Sequence, residues 1–285
     1  MRVAILGTGK MGGAMARRLH SQGYELTLWN RTPQRAEALG IGKVAPTPAE
    51  AVTNVDVVIS ILTDADAVRA AYLGDGGAVK AARGQVFLEM STAGPDVSFE
   101  IAPQIERAGA QYVEAPVLGS TPAVEAGTLI VLAAGDQAAV ERALPVLQAL
   151  GEVRQVGGLG SGAKLKLVSN TMIAGVTALA AELLTAGTKA GLNVEDVFAS
   201  LSRVSPYLNS RKAGLVEHRY EPITFALRDA LKDVRLATEL YRRVGATAPL
   251  SDATKDLYEQ AARLAGDLDM SAIATVYQKE PARTD

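Results

Sequence analysis

The N-terminal run narrows the fold more than any other stretch of the chain. Arg2-Val3-Ala4-Ile5-Leu6 reads as a short buried strand, and Gly7-Thr8-Gly9-Lys10-Met11-Gly12 follows it at once and opens a helical segment over 11–21. This is G-x-G-x-x-G in a strand–turn–helix context. The first glycine permits the tight turn, the second lets a pyrophosphate approach the backbone, and the third lets helix and strand pack closely. The helix start then offers amides and a positive dipole end to phosphate oxygens. Apolar strand-length runs recur at Glu25–Trp29, 56–61, Val86–Glu89, Gln111–Glu114 and 129–133, as expected of strands buried on both faces of a parallel sheet. Helix starts fall between them: Thr47-Pro48-Ala49-Glu50 is a capping box, and Asp136 caps the segment that follows it. The rhythm predicts a doubly wound α/β domain over residues 1–160.

The texture changes after Gly157-Gly158-Leu159-Gly160-Ser161-Gly162. A long helix over 163–190 is apolar nearly all round its axis, which predicts a buried spine or a subunit interface. Only helices are expected downstream, at 194–203, 227–244, 251–265 and 270–278, so residues 161–285 read as an all-α domain. At 285 residues the chain has room for two domains of roughly 150 residues. With 48% apolar residues there is ample core, and a net charge of −2 leaves no polybasic footprint for nucleic acid or anionic lipid. Cysteine is absent and there are two histidines, His20 and His218, both in polar surroundings. Disulfides, thiolate chemistry and Cys- or His-based metal sites are therefore not expected. The start, Met1 to Lys10, lacks a charged leader followed by a long apolar run, and the apolar stretch near 171–184 is broken by Glu182. The expected location is cytoplasmic, with no membrane span.

The second strand narrows the dinucleotide. Its end reads Asn30-Arg31-Thr32, where sites for NAD carry an acidic residue that binds the ribose 2′-hydroxyl. Neutral Asn30 removes a carboxylate that would repel a 2′-phosphate, Arg31 supplies a planar cationic fork, and Thr32 adds a hydroxyl. The expected cofactor is NADP. A proton donor for redox chemistry is best sought at the start of the long helix, in Gly162-Ala163-Lys164-Leu165-Lys166-Leu167-Val168-Ser169-Asn170. Lys166 and Asn170 share one helix face and Lys164 points away. A lysine in a first helical turn opposes the macrodipole, a field that lowers an ammonium pKa toward the range of a general acid.

These blocks together resemble the short-chain β-hydroxyacid dehydrogenase family, the 3-hydroxyisobutyrate dehydrogenase group, and most of all its glyoxylate/succinic semialdehyde reductase branch. The resemblance runs along essentially the whole chain. It takes in Gly7 to Gly12, Trp29 to Thr32, Met90-Ser91-Thr92, Glu114-Ala115-Pro116-Val117-Leu118-Gly119-Ser120 with Pro122-Ala123 and Gly127, the Gly162 to Asn170 block, and Phe225 with Lys232-Asp233. It implies a Rossmann-type domain followed by a helical one, as in 6-phosphogluconate dehydrogenase. It adds Leu62, Thr63, Thr92, Phe225 and Lys232 to the cofactor contacts, places substrate against Ser91, Leu118, Gly119, Ser120, Thr121 and Asn170, and makes Lys166, Asn170 and Asp233 the catalytic set.

One position departs from the family. Its substrate loop usually reads Pro-Val-Ser-Gly, and Leu118 stands where the serine donates to substrate. Ser120, Thr121 or the loop amides are the candidates to replace that donor, or the substrate is less polar than usual. The expected reaction is NADPH-dependent reduction of a small carboxylate-bearing aldehyde or keto acid. In it Lys166 protonates the carbonyl oxygen, Asn170 orients substrate, Asp233 orients Lys166, and Lys232 and Phe225 close over the cofactor. The alternatives are a 3-hydroxyisobutyrate dehydrogenase, an imine reductase and a non-catalytic NADP-binding module. A homodimer or homotetramer is expected.

Overall fold

A computed structural model of the chain describes residues 1–277. The chain divides into two compact units, Met1–Lys166 and Leu167–Asp285, so the division falls inside the long helix that starts near residue 161. The first unit runs β1 (Arg2–Leu6), α1 (Lys10–Ser21), β2 (Glu25–Trp29), α2 (Pro33–Glu37), β3 (Lys43–Val44), α3 (Pro48–Ala51), β4 (Val57–Ser60), α4 (Ala65–Leu73) and β5 (Val86–Glu89). It continues with α5 (Pro95–Arg107), β6 (Gln111–Glu114), β7 (Val117–Leu118), α6 (Thr121–Ala126), β8 (Leu129–Gly135), α7 (Gln137–Leu150) and β9 (Gly151–Gln155). β3, β7 and β9 carry no sequence signal of their own and take shape from their neighbours, whereas α6 has a proline in its first turn and ends at Gly127 in the left-handed region.

Strand order in the sheet is β3-β2-β1-β4-β5-β6-β8-β7, with β9 paired to β8. The β3 to β6 portion is parallel throughout, and β8 then runs antiparallel to β6 and β7. Both faces are covered, so neighbouring residues of one strand enter different cores: Val3 and Ile5 join one, Ala4 and Leu6 the other. This is why the strands read as continuous apolar runs rather than alternating ones. The chain leaves β1 toward β2 on one side and β4 on the other. The carboxyl ends of β1, β2, β4, β5 and β6 therefore surround the switch point where ligands bind in such sheets.

In the second unit the described residues are helical: most of α8 (Ser161–Lys189), then α9 (Val194–Val204), α10 (Lys212–Leu215), α11 (Leu227–Arg243) and α12 (Pro249–Ala265). A 3-10 turn, Met270–Val276, replaces the helix expected over 270–278, and Gln278 lies outside the described residues. One core gathers Ala174, Ala178, Ala181 and Leu184 of α8 with Phe198, Leu231, Val234, Tyr258 and Ile273. Beside it Arg211 and Asp269 form a buried ion pair at 2.9 Å. Asp269 also accepts from the amides of Thr224 and Phe225, at 3.0 and 3.3 Å. Burial pushes the Asp269 carboxyl up, but Arg211 and the amides of Ser271 and Thr224 outweigh it and leave it below the usual carboxylate range. That network fixes the segment before α11, which carries Phe225.

The long helix is not buried all round. Leu167, Ala174, Ala178, Ala181 and Leu184 pack inward, whereas Leu165, Val168, Met172, Leu179 and Leu183 are 39%, 49%, 68%, 54% and 39% exposed. Hydropathy alone cannot distinguish these sides, since both are apolar. Helix α8 has 29 residues and a window of mean hydropathy 1.5, so by length and composition it could cross a membrane, although only 44% of that window is buried inside the protein.

Candidate active site

The glycine loop has the form expected of a phosphate cradle. Gly7 adopts φ +101° between β1 and α1, in the region that glycine alone enters without strain. A Cβ on Gly12 would stand 1.9 Å from the Gly7 carbonyl oxygen, which accounts for the third glycine as close helix–strand packing. A Cβ on Gly9 would meet nothing within 4 Å, so the space above Gly9 is open to a ligand. Helix α1 receives no side-chain cap at Gly9, and the Thr8 hydroxyl is buried without a hydrogen-bond partner. A pyrophosphate fits these features, because its oxygens would satisfy both the helix amides and that hydroxyl. Lys10 and Met11 follow at the helix start, Lys10 exposed and Met11 half-buried.

Two substitutions separate the roles of the glycines. Gly9→Ala is expected to leave the melting temperature of the cofactor-free protein unchanged and to abolish the rise expected on adding a nicotinamide dinucleotide. Gly12→Ala is expected to lower stability itself by about 1–3 kcal/mol through overpacking. Thermal unfolding with and without NADPH measures both.

At the end of β2, Asn30 is more than an absent carboxylate. Its Oδ1 accepts from the Thr8 amide at 3.1 Å, and its Nδ2 donates to the Thr32 carbonyl at 2.9 Å. An aspartate could make only the first of these bonds, so the amide braces the glycine loop against the turn carrying Arg31. Arg31 and Thr32 are exposed, and Arg35, one turn into α2, is exposed too.

The loops after β4 and β5 are tied together from beneath. Ser91 Oγ accepts from the Leu62 amide at 2.8 Å, and the Ser91 amide donates to Glu89 Oε1 at 2.8 Å. Glu89 Oε2 in turn accepts from Ser60 at 2.5 Å. Burial pushes the Glu89 carboxyl up, against the hydrogen bonds from Ser60 and Ser91. Ser91 is thus buried and fixed, while Thr63 is exposed and Thr92 half-buried at the same sheet end. In the expected substrate loop, Leu118 is half-buried and pairs with Ile130 across β7 and β8. Gly119 follows at φ +125°. Ser120 sits before α6 with its hydroxyl making no cap bond to that helix, and Thr121 is half-buried.

Lys166 projects from the first turns of α8, and its Nζ donates to the Val117 carbonyl oxygen at 2.7 Å. Its head is thereby held at the entrance to the 118–121 loop. Lys164 is turned elsewhere, with its Nζ 5.8 Å from the centre of the exposed Phe99 ring. One turn beyond Lys166, Asn170 is buried and its Nδ2 donates to Asp233 Oδ2 at 2.5 Å. Lys232 Nζ donates to Asp233 Oδ1 at 2.7 Å. Adjacent helix residues leave the axis in different directions, yet the four-carbon stem of Lys232 is long enough to bring its ammonium to the Asp233 carboxylate. Phe225 is half-buried just before α11. His20 and His218 are both exposed.

Residues 2–160 match the NAD binding domain of 6-phosphogluconate dehydrogenase, and residues 160–277 match the NAD-binding of NADP-dependent 3-hydroxyisobutyrate dehydrogenase. The chain belongs to the 3-hydroxyisobutyrate dehydrogenase family. It is 32% identical to glyoxylate/succinic semialdehyde reductase 1 of Arabidopsis thaliana over 281 residues, 96% of this chain and 97% of the relative. It is 30% identical to the human cytokine-like nuclear factor N-PAC over 97% of this chain, which spans about half (51%) of that relative. The solved structure of Mycobacterium tuberculosis 3-hydroxyisobutyrate dehydrogenase with L-serine superposes with a TM-score of 0.86 at 28% identity, covering 98% of this chain and 99% of that one. As a member of this family the chain is a β-hydroxyacid dehydrogenase, an oxidoreductase acting on CH–OH groups with an NAD(P)-binding Rossmann domain and a helical C-terminal domain.

Proposed function

We propose that this dehydrogenase reduces a small aldehyde or keto acid bearing a carboxylate, with NADPH as the preferred cofactor. The observation that carries the reading is the Lys166 ammonium, anchored on Val117 O at the mouth of the 118–121 loop. The bound nicotinamide supplies the hydride. Gly7, Thr8, Gly9, Lys10, Met11 and Gly12 hold its pyrophosphate, and Arg31 and Thr32, braced by Asn30, receive the 2′-phosphate. Thr63, Leu62 and Thr92 line the same sheet end, and the family pattern assigns Lys232 and Phe225 to the cofactor as well.

Lys166 donates a proton to the substrate oxygen as negative charge develops there. Asn170, held by Asp233, points a fixed amide from the same helix and orients the substrate. The Ser120 hydroxyl, uncommitted to the α6 cap, replaces the donor lost at Leu118, with Ser91, Gly119 and Thr121 completing the carboxylate grip. The test is NADPH oxidation with a panel of short semialdehydes, keto acids and cyclic imines. The semialdehydes and keto acids are expected to react. Turnover of imines alone would favour imine reduction, which Leu118 suits, and no turnover at all would favour a binding module.

The working form is a homodimer or homotetramer joined through the exposed face of α8, in the cytoplasm. The apolar residues Val168, Met172 and Leu179 on that face carry the proposal, because patches of this kind mark interaction surfaces. Met172→Glu is expected to reduce the mass measured by light scattering to that of a smaller assembly. An unchanged mass places the interface elsewhere.

A further inference from the structure

Helix α8 begins without a local cap, and its missing acceptor comes from a distant strand. Of its first amides, Ser161 N donates to Gly158 O and Lys164 N to Gly160 O. The amides of Gly160 and Gly162 converge instead on Glu114 Oε2 at 2.9 and 3.0 Å, with Ala163 N at 3.4 Å. Glu114 is 1% exposed and is the last residue of β6, in register with Glu89 of β5 and Ala134 of β8. Gly160 adopts φ +90°, a conformation in which glycine turns the amide toward the strand end at little cost. Three residues beyond Glu114, the Val117 carbonyl receives Lys166. A closed ring results: strand end to helix start through the carboxylate, helix start to Lys166 through one turn, and Lys166 back to the strand through Val117 O.

We infer that Glu114 is the positioning residue for Lys166, setting where the ammonium stands through the reach of one acceptor oxygen rather than through its charge. The inference rests on the proposed role of Lys166 and adds the element that places it. Two terms point to reach. The three amides need an acceptor at a fixed distance from β6, because an amide left buried without one is costly. The charge itself is poorly accommodated: burial pushes the Glu114 carboxyl up by more than its hydrogen bonds pull it down. A neutral oxygen of equal reach should therefore serve, and a charged oxygen one methylene short should not. Shortening drags the helix start toward the strand or breaks the bonds, and either result displaces Lys166. Displacement by about 1 Å in an active site costs on the order of a hundredfold in rate.

The experiment compares Glu114→Gln with Glu114→Asp, with kcat normalised to NADPH-binding sites titrated by cofactor fluorescence, so that misfolded protein does not count. Glu114→Gln is expected to keep kcat within about threefold of wild type. Glu114→Asp is expected to lose at least about tenfold in kcat per site while the Kd for NADPH and the KM for substrate change little. A purely structural role would lower the number of competent sites and leave kcat per site intact, and that result overturns the inference. So does Glu114→Gln falling as far as Glu114→Asp, which would make charge the operative property. Lys166→Met, assayed alongside, keeps the two proposals apart: if it retains wild-type turnover the role of Lys166 fails, whereas its loss together with an unimpaired Glu114→Asp removes only the role of Glu114.

Discussion

Lys166→Met is expected to lower kcat by roughly 10²–10⁴-fold, the usual worth of a positioned general acid, while NADPH binding is retained. The methionine matches the stem of lysine and removes only the charge and the donors, so the helix start should persist. Its first amides are satisfied by Glu114 and by backbone carbonyls, none of which needs the Lys166 head. The bond to Val117 O is lost, but Val117 stays held by its pairing with Val131 across β7 and β8. Lys166→Arg divides the contribution further, because guanidinium keeps the charge and is a very poor acid. Recovery by arginine would assign Lys166 a mainly electrostatic role, and continued loss would assign it proton transfer. Steady-state kinetics with titrated sites measures each.

Arg31→Ala is expected to raise the KM for NADPH at least about tenfold and to leave that for NADH nearly unchanged. A hydrogen bond to a charged group contributes about 1.5–3 kcal/mol, or roughly ten- to a hundredfold, and only the 2′-phosphate of NADPH can receive it. Arg31 is exposed at the end of β2, ready to meet a ligand rather than committed to a neighbour. The turn itself is held by Asn30 through Thr8 N and Thr32 O, so removing the Arg31 side chain should not disturb it. Arg35 provides the comparison: its position on α2 makes Arg35→Ala a milder change of the same sign. Equal effects on both cofactors would remove the assignment.

Features written in local patterns were readable in the sequence. The turn from Gly7 to Gly12 follows from the geometry of a strand feeding a helix, and the capping box at Thr47 is seen in the bond from Glu50 N to Thr47 Oγ1 at 3.2 Å. Lys166 and Asn170 also share a helix face, as their spacing requires. What escaped reading depends on partners remote in the chain. The cap of α8 is supplied by Glu114, 46 residues before Gly160, and its only trace is an acidic residue closing an apolar strand ahead of a helix with no Ser, Thr, Asp or Asn before its first turn. The strand Val117–Leu118 is two residues long and exists because β8 lies beside it. The exposed face of α8 was invisible because Met172 and Leu184 look alike to hydropathy, although one is 68% and the other 4% exposed. The Lys232–Asp233 contact shows the limit of angular rules, which describe Cβ directions and not the travel of a long side chain.

Proton donation by Lys166 is tested most directly in single turnovers of Lys166→Ala, following NADPH oxidation by a short semialdehyde with and without added primary alkylammonium ions. Hydride transfer is expected to be slow in the variant alone and to accelerate with added ammonium, more so for the more acidic ions. Hydride transfer at the wild-type rate with no amine present would contradict it.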